Sequence, residues 1–305
     1  MNTQFSRREF LQAAGALAAV KWDQASAAQP GPICLFSKHL PMLSWEQLAE
    51  AVKQAGFDGI DLTVRPGGHV LPAKAAEDLP RAARAIRERG LALPMITTAL
   101  TAASEPTANP IISTAGKLSI PFFKAGYYKY SYLDMRREME QAMSDFGSLA
   151  ALGSRHGIAA GFHNHEGNLG GAIADISGAM EKLDAKWAGY YFDIRHAVCE
   201  GGSAGWKIAF HLAAPRMKMI AIKDFYWEKT GSGWKQVNCP LGEGMVDWKQ
   251  FCRMLKQANF QGPVSLHLEY PIAGRTDNEK RDNTLIAARR DLAFLQARLK
   301  ETYQP

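Results

Sequence analysis

Eight short apolar runs recur along the chain, and a segment with helical periodicity follows each of them. The runs cover residues 33–36, 59–64, 91–97, 122–125, 158–162, 189–192, 217–222 and 263–268. Most of their positions are apolar rather than alternating, which indicates strands buried on both faces, as in a parallel sheet covered by helices. Eight such units within 305 residues predict an α/β fold: a closed (β/α)8 barrel, the TIM barrel, in a single domain.

The segments between the runs supply the helices of this barrel. We expect helices over residues 44–55, 77–89, 113–118, 133–156, 172–183, 206–213, 247–258 and 279–303. Ser44 and Gln47 fit a capping box at the first of them. Residues 98–110 and 227–246 are predicted to be loops, the former a loop or lid. A doubly wound sheet would need a G-x-G-x-x-G turn, which is absent after the second run.

The N-terminus carries the features of an export signal. Residues 6–11, Ser-Arg-Arg-Glu-Phe-Leu, resemble the twin-arginine motif of bacteria, and an Ala-rich run and an Ala-Ser-Ala sequence follow. We therefore expect residues 1–27 to be a twin-arginine-type signal peptide and residues 28–305 to be the barrel. The protein would meet the twin-arginine export machinery, fold before export and work in the periplasm without a membrane anchor.

Composition argues against two other classes of protein. The net charge of +6 comes from 36 basic and 30 acidic residues spread along the chain, so no nucleic-acid partner is predicted. The four cysteines show no C-x-x-C spacing, which argues against a zinc ribbon or a redox motif and favours buried thiols.

Polar residues cluster where the apolar runs end, and in a TIM barrel these ends form the active site. The densest cluster is Gly-Phe-His-Asn-His-Glu-Gly-Asn at residues 161–168. Other polar side chains at predicted strand ends are Lys38, Asp61, Arg65, Lys124, Tyr127, Asp193, His196, Lys223 and Glu269. Carboxylates and imidazoles in one ring can bind a divalent ion, or move a proton next to a carbonyl group.

Four sequence features, which occur in the same order as in the family, resemble the sugar phosphate isomerase/epimerase superfamily, the xylose isomerase-like TIM barrels. They are Asp193-x-x-His196, Lys223-Asp224, the Gly-Glu-Gly-x-Val-Asp-Trp sequence at 242–248, and Glu269. The resemblance implies a divalent metal (Mn, Mg or Zn) and a substrate-contacting His196. Asp193 and Glu269 match ligand positions, whereas Ala221 stands where a ligand histidine is usual and His163 where a glutamate is usual.

Two chemical routes stay open for such a site. In the first, His165, Asp193 and Glu269 hold a metal that polarises a substrate carbonyl. In the second, Lys223 stabilises an enolate without a metal, and His163 or Glu269 acts as the base. In both, we expect Lys124, His196 and Trp227 to bind the substrate.

The function predicted from these features is an exported sugar isomerase or epimerase that moves a proton next to the carbonyl of a sugar or keto-sugar. One alternative is a lyase that eliminates a β-substituent from a 3-keto-glycoside or an inosose-like substrate. The other is a non-catalytic periplasmic sugar-binding protein, because a fold alone does not establish an activity. A nuclease like endonuclease IV would need more metal ligands than the predicted strand ends supply.

Overall fold

The computed structural model describes residues 29–304 and shows the predicted closed barrel of eight parallel strands. In chain order these strands are β1 (Ile33–Phe36), β2 (Gly59–Val64), β3 (Ala92–Thr98), β4 (Phe122–Lys124), β5 (Ala159–His163), β6 (Ala188–Asp193), β7 (Met217–Ile222) and β10 (Val264–Leu266). β1 pairs with β2 on one side and with β10 on the other, through Ile33 opposite Val264 and Leu35 opposite Leu266. This last pairing closes the barrel.

Helices surround the barrel, one after nearly every strand. They are α1 (Trp45–Gln54), α2 (Ala75–Glu88), α3 (Ala108–Lys117), α4 (Met135–Arg155), α5 (Ala174–Met180), α6 (Ile194–Ala213), α7 (Trp248–Gln257) and α8 (Asp277–Tyr303). The predicted capping box is confirmed: the Ser44 hydroxyl accepts from the Gln47 N–H while the Gln47 side chain accepts from the Ser44 N–H. None of the helices in residues 29–304 combines the length and apolar character needed to cross a membrane.

The apolar side chains form two separate cores, as expected for strands buried on both faces. The larger core fills the space between the helices and the outer faces of the strands. A smaller cluster consists of Met95, Tyr191, Met219 and Ala221. Its members lie on β3, β6 and β7, where side chains alternate between the two faces of the sheet. The cluster therefore fills the inside of the barrel below the strand ends.

Three predicted segments differ from the structure. The loop expected at residues 227–246 is instead mostly an antiparallel hairpin, β8 (Asp224–Thr230) with β9 (Gly233–Cys239). The helix expected at residues 206–213 already begins at Ile194 and bends at Gly202, whose φ of 56° suits glycine. α3 begins at Ala108, so the expected loop at residues 98–110 is shorter.

The Gly-Glu-Gly sequence after this hairpin is held in place by one buried carboxylate, that of Asp224. It accepts backbone N–H groups from Gly242, Gly244 and Val246 and the indole N–H of Trp248, at 2.8–3.2 Å. A Cβ at Gly244 would overlap with an Asp224 carboxylate oxygen, so the close approach requires glycine. Asp224 thus fastens the hairpin to the start of α7.

The predicted signal peptide, residues 1–27, lies outside the described residues 29–304. The four cysteines are free thiols; Cys34, Cys239 and Cys252 are buried and Cys199 is half-buried.

Candidate active site

A cavity of about 320 Å³ opens at the carboxyl ends of the barrel strands. Its charged and imidazole-bearing walls consist of Lys38, Arg65, Lys124, His163, His165, Glu166, Arg195, His196, Lys223, His267 and Glu269. Phe36, Thr97, Tyr127, Tyr191 and Asn238 complete the lining. Five cationic side chains and two carboxylates face the same space, which suits a polar substrate on which negative charge is present or develops.

The ammonium group of Lys223 lies at the centre of the polar network. Its Nζ is 2.8 Å from Asp193 Oδ2 and 2.6 Å from His196 Nε2, and the lysine is 5% exposed. The buried Asp193 ends β6 and also accepts the backbone N–H of His196, which fixes the start of α6. Burial, reinforced by Lys223, lowers the pKa of His196 well below its ordinary value. Neutral His196 therefore accepts a hydrogen bond from the Lys223 ammonium.

On the other side of Asp193, His163 and Tyr127 extend the network toward the cavity. His163 Nε2 lies 3.1 Å from Asp193 Oδ2, and its Nδ1 lies 3.4 Å from the Tyr127 hydroxyl. A carboxylate only accepts, so Nε2 carries the imidazole proton and Nδ1 accepts from Tyr127. Burial, together with Lys124 and Lys223, lowers the pKa of His163 well below its ordinary value and keeps the ring neutral.

The hairpin strand β9 supports a second part of the wall through Arg195. The guanidinium donates to Asn238 Oδ1 (3.1 Å) and Gln236 Oε1 (2.6 Å), and packs over the Phe225 ring. It also pairs with Glu166 at 2.6 Å, whose second oxygen contacts His196 Nδ1. The hairpin that sequence reasoning missed thus positions this ion pair.

His165 borders the same wall and is neutral. Its Nδ1 lies 2.9 Å from the Glu166 carbonyl oxygen, so Nδ1 carries the proton and Nε2 holds a lone pair. Burial, helped by Lys223, lowers the pKa of His165 to about 4.

Glu269, beyond the end of β10, faces the cavity as a carboxylate. Lys38 pairs with it at 2.8 Å, and His267 Nδ1 is 3.7 Å from its Oε1. Burial alone would raise the pKa of Glu269, but His267, Lys223 and Lys38 outweigh it and hold the pKa well below its ordinary value. Its backbone is fixed as well, because Asn238 donates to its carbonyl oxygen. Glu269 is therefore an ionised, partly accessible base candidate.

Asp61 forms the polar floor below the cavity. It accepts hydrogen bonds from Thr97 (2.7 Å), Ser265 (2.8 Å) and Tyr191 (3.2 Å). Burial raises the pKa of Asp61 and these three donors counter the shift. Asp61 thus links β2 to β3, β6 and β10 through the inside of the barrel.

The structure brings most of the predicted site residues together. His163, Lys223 and Glu269, predicted to be catalytic, line the cavity, as do Lys124, His196 and His165. Asp193 lies buried behind Lys223. Trp227 lies on β8, exposed and outside the cavity lining, so its predicted role in substrate binding gains no support.

The described residues contain a group of donors that could hold a metal, but its members differ from the expected ones. Donor atoms of His163, Asp193 and His196 lie within 4.8 Å of one another, and those of His165, Glu166 and His196 form a second such group. Neither group includes Glu269, which is engaged by Lys38. The expected set of His165, Asp193 and Glu269 is therefore not assembled.

The first of these groups fits an ammonium ion better than a divalent metal. The Lys223 Nζ already lies 2.6–2.8 Å from a donor atom of His196 and one of Asp193, so it takes the position that a metal would need. The β7 residue paired with Asp193 is Ala221, which offers no donor atom. The Lys223 ammonium thus lies where this group of donors would hold a metal.

Sequence reasoning missed several residues of the lining. Tyr191 lies on β6, two residues before the predicted site residue Asp193, and side chains two apart in a strand share a face. That alternation could have identified Tyr191, whereas His267 lies past the end of β10, where the alternation does not apply. Asn238 gave no such signal, because it depends on the hairpin.

The fold and the site define a TIM-barrel protein with a polar cavity at the strand ends. Residues 49–297 match the family described as xylose isomerase-like TIM barrel. The chain belongs to this family.

Solved structures with the same fold are similar to the chain at low identity. An L-ribulose 3-epimerase shares 16% identity (TM-score 0.68; 89% of this chain and 95% of that one). The 3-keto-D-glucoside 4-epimerase of E. coli shares 14% (0.60; 83% and 94%). A xylose isomerase-like barrel from Mycobacterium smegmatis, solved in complex with magnesium, shares 14% (0.62; 87% and 98%). No sequence among curated proteins matches.

Proposed function

We propose that the protein is a sugar isomerase or epimerase that moves a proton at a carbon next to the carbonyl of a sugar or keto-sugar. The observation that carries the proposal is the pairing, in one cavity, of a buried ammonium with an ionised carboxylate. Lys223 and Glu269 both line this cavity. The epimerases among its structural relatives support the same class of reaction.

Lys223 is the electrophile in this proposal. Removing a proton next to a carbonyl places negative charge on the carbonyl oxygen, and a fixed ammonium stabilises that charge as it develops. Asp193 and His196 hold the Nζ by contacts of 2.8 and 2.6 Å, so no reorganisation is needed. In this proposal the ammonium takes the role of a divalent metal, because it lies between Asp193 and His196, two members of one of the groups that could hold a metal.

Glu269 is the base that removes the proton. Its carboxylate is ionised and reaches the cavity from beyond β10, next to β7, which carries Lys223. Tyr127 lies on the side of the cavity formed by β4 and β5 and donates to His163. Its hydroxyl can give its proton to the enolate from that side, and exchange with solvent then restores the proton on Tyr127 and removes the one on Glu269.

We also propose that the protein is exported by the twin-arginine machinery and works in the periplasm. The support comes from the sequence of residues 1–27 alone. N-terminal sequencing of protein recovered from the periplasm should find the chain cleaved near residue 27; cytoplasmic protein with an intact N-terminus would contradict it.

Exchange of substrate protons with solvent tests the activity most directly. Purified mature protein is incubated in D2O with a panel of keto-sugars, 3-keto-glycosides and inososes, and NMR follows deuterium incorporation next to the carbonyl. Metal content is measured in parallel by elemental mass spectrometry. We expect exchange that survives treatment with EDTA, in protein with less than stoichiometric divalent metal.

The alternatives predict other results from the same panel. Exchange accompanied by loss of a β-substituent would assign a lyase. Binding without exchange would assign a sugar-binding protein and end the proposal. Stoichiometric metal whose removal abolishes exchange would restore the metal route.

The ion pair between Lys38 and Glu269 leads to a prediction about pH. The base must be ionised, so activity falls as the pH drops through the pKa of Glu269. Lys38→Met removes a cation 2.8 Å away, which raises that pKa. Lys38 is largely solvated, so the acidic limb of log kcat/KM should move upward by only about one pH unit. The exposed Lys117, changed to Met, is the control, and equal limbs in both variants would contradict this role of Lys38.

A further inference from the structure

Two of the five cations in the cavity have no carboxylate partner among residues 29–304. Lys38 pairs with Glu269, Arg195 with Glu166 and Lys223 with Asp193. By contrast, neither Lys124 nor Arg65 has a carboxylate oxygen within 4.0 Å.

Lys124 is the more unusual of the two. It ends β4, lines the cavity and is only 1% exposed. Its Nζ lies over the ring of Tyr127, 3.5 Å from the centroid. A buried ammonium without an anion is costly. Burial accordingly lowers the pKa of Lys124 well below its ordinary value, and the charge on Arg65 adds to the effect.

Arg65 follows β2, and its backbone is fixed by the tight loop after that strand. Its N–H donates to the Val70 carbonyl, and its own carbonyl accepts from the Gly68 N–H. The guanidinium packs over the Phe36 ring, 5.5 Å from Cζ to the centroid. This cation–π contact helps to position the guanidinium, whose fork of N–H groups matches a carboxylate or phosphate.

The two cations lie on the side of the barrel opposite Lys223 and Glu269, and Lys124 packs against the ring of Tyr127. Arg65 follows β2 and Lys124 ends β4, with β3 between those strands, whereas Asp193 ends β6, Lys223 follows β7 and Glu269 lies beyond β10. A substrate whose carbonyl meets Lys223 would therefore extend its far end toward Arg65 and Lys124.

We propose that Arg65 and Lys124 form an anion subsite, which binds a carboxylate or phosphate group at the end of the substrate remote from the reacting carbonyl. This proposal rests on the proposed function only in assuming that the reacting carbonyl of the substrate lies at Lys223. The substrate class becomes a sugar acid or a sugar phosphate rather than a neutral sugar.

Direct binding tests the subsite without any turnover. Calorimetry compares glucuronate, glucose 6-phosphate, glucose and inorganic phosphate at constant ionic strength, with wild type, Arg65→Met and Lys124→Met. We expect one or both anionic sugars to bind more tightly than glucose, and each variant to lose that preference by about 10- to 100-fold. Carboxylate and phosphate are told apart by which anionic sugar shows the preference.

Matched controls are Arg84→Met and Lys117→Met, which remove the same charges from exposed positions on α2 and α3. They should bind like wild type. Arg65 is half-buried, so Arg65→Met tests the subsite even if Lys124→Met fails to fold.

Three results would overturn the subsite. The first is equal binding of charged and neutral sugars, and the second is an anion preference unchanged in the Arg65 variant. The third is a keto-sugar fixed to Lys124 by borohydride, which would make Lys124 a nucleophilic amine instead. If wild-type protein binds the anionic sugar preferentially but exchanges no substrate proton in D2O, the proposed reaction is contradicted and the anion subsite is not.

Discussion

Replacing Lys223 by methionine is expected to slow solvent exchange of the substrate proton by about 10²- to 10³-fold, the usual cost of losing one group that stabilises an oxyanion. The effect should appear in kcat, because the ammonium acts on charge that exists only in the transition state. NMR in D2O measures it. Lys223→Arg, which keeps the charge but changes the geometry, should recover part of the rate.

Stability has to be separated from chemistry in this experiment. Asp193 is fully buried, and losing its cation costs on the order of 3–5 kcal/mol. The double variant Lys223→Met/Asp193→Asn removes both charges and should regain stability without regaining exchange. Lys218→Met, on the same strand, only removes a bond to the Ala185 carbonyl and should exchange normally. Wild-type exchange in a folded Lys223→Met protein would eliminate the proposed mechanism.

Asp224→Ala is expected to lower the free energy of unfolding by about 3–5 kcal/mol, because it leaves several buried N–H donors without an acceptor. The donors belong to Gly242, Gly244, Val246 and Trp248. For a domain of this size the thermal midpoint should fall on the order of 10 °C. Asp224→Asn keeps one carbonyl acceptor, so its thermal midpoint should fall less.

Gly244→Ala tests the same junction from the other partner, since its new Cβ would overlap with the Asp224 carboxylate. Gly231→Ala, at a position with open space around the Cβ, is the matched control. Differential scanning calorimetry compares the thermal midpoints of these four variants with that of the wild type. A midpoint near the wild-type value in both Asp224→Ala and Gly244→Ala would show that the junction adds little to stability.

The fold could be predicted because each level of the sequence agreed. Continuous apolar runs, helical periodicity between them and a capping box at Ser44 and Gln47 all indicated the same eight-unit barrel. The hairpin was missed although a turn signal was present: Gly-Ser-Gly at residues 231–233 follows an aromatic stretch, residues 225–227, and precedes Trp234. Its position after a barrel strand favoured reading it as a loop.

The residues that line the cavity could be predicted in part, but the contacts between them could not. Lys223, Asp193 and Glu269 were predicted from their positions at strand ends, because residues at these ends lie at or next to the cavity. Which cation meets which carboxylate depends on packing across the barrel. The contact between Lys38 and Glu269 spans 231 positions, and no local pattern encodes it. Because Glu269 pairs with Lys38, it does not join His165 and Asp193 as the expected metal ligand.

The closure of the barrel between β1 and β10 gives the two halves of the cavity different histories during folding. Lys223 and Asp193 come from adjacent strands in the middle of the chain and can meet in an incomplete barrel. Glu269 meets Lys38 only when the last strand joins the first. In a chain that is still being synthesised, or one whose ends have frayed, Lys223 can thus be in place while Glu269, the proposed base, is not yet ordered. The proposed mechanism therefore predicts that activity is the last property gained on folding and the first one lost.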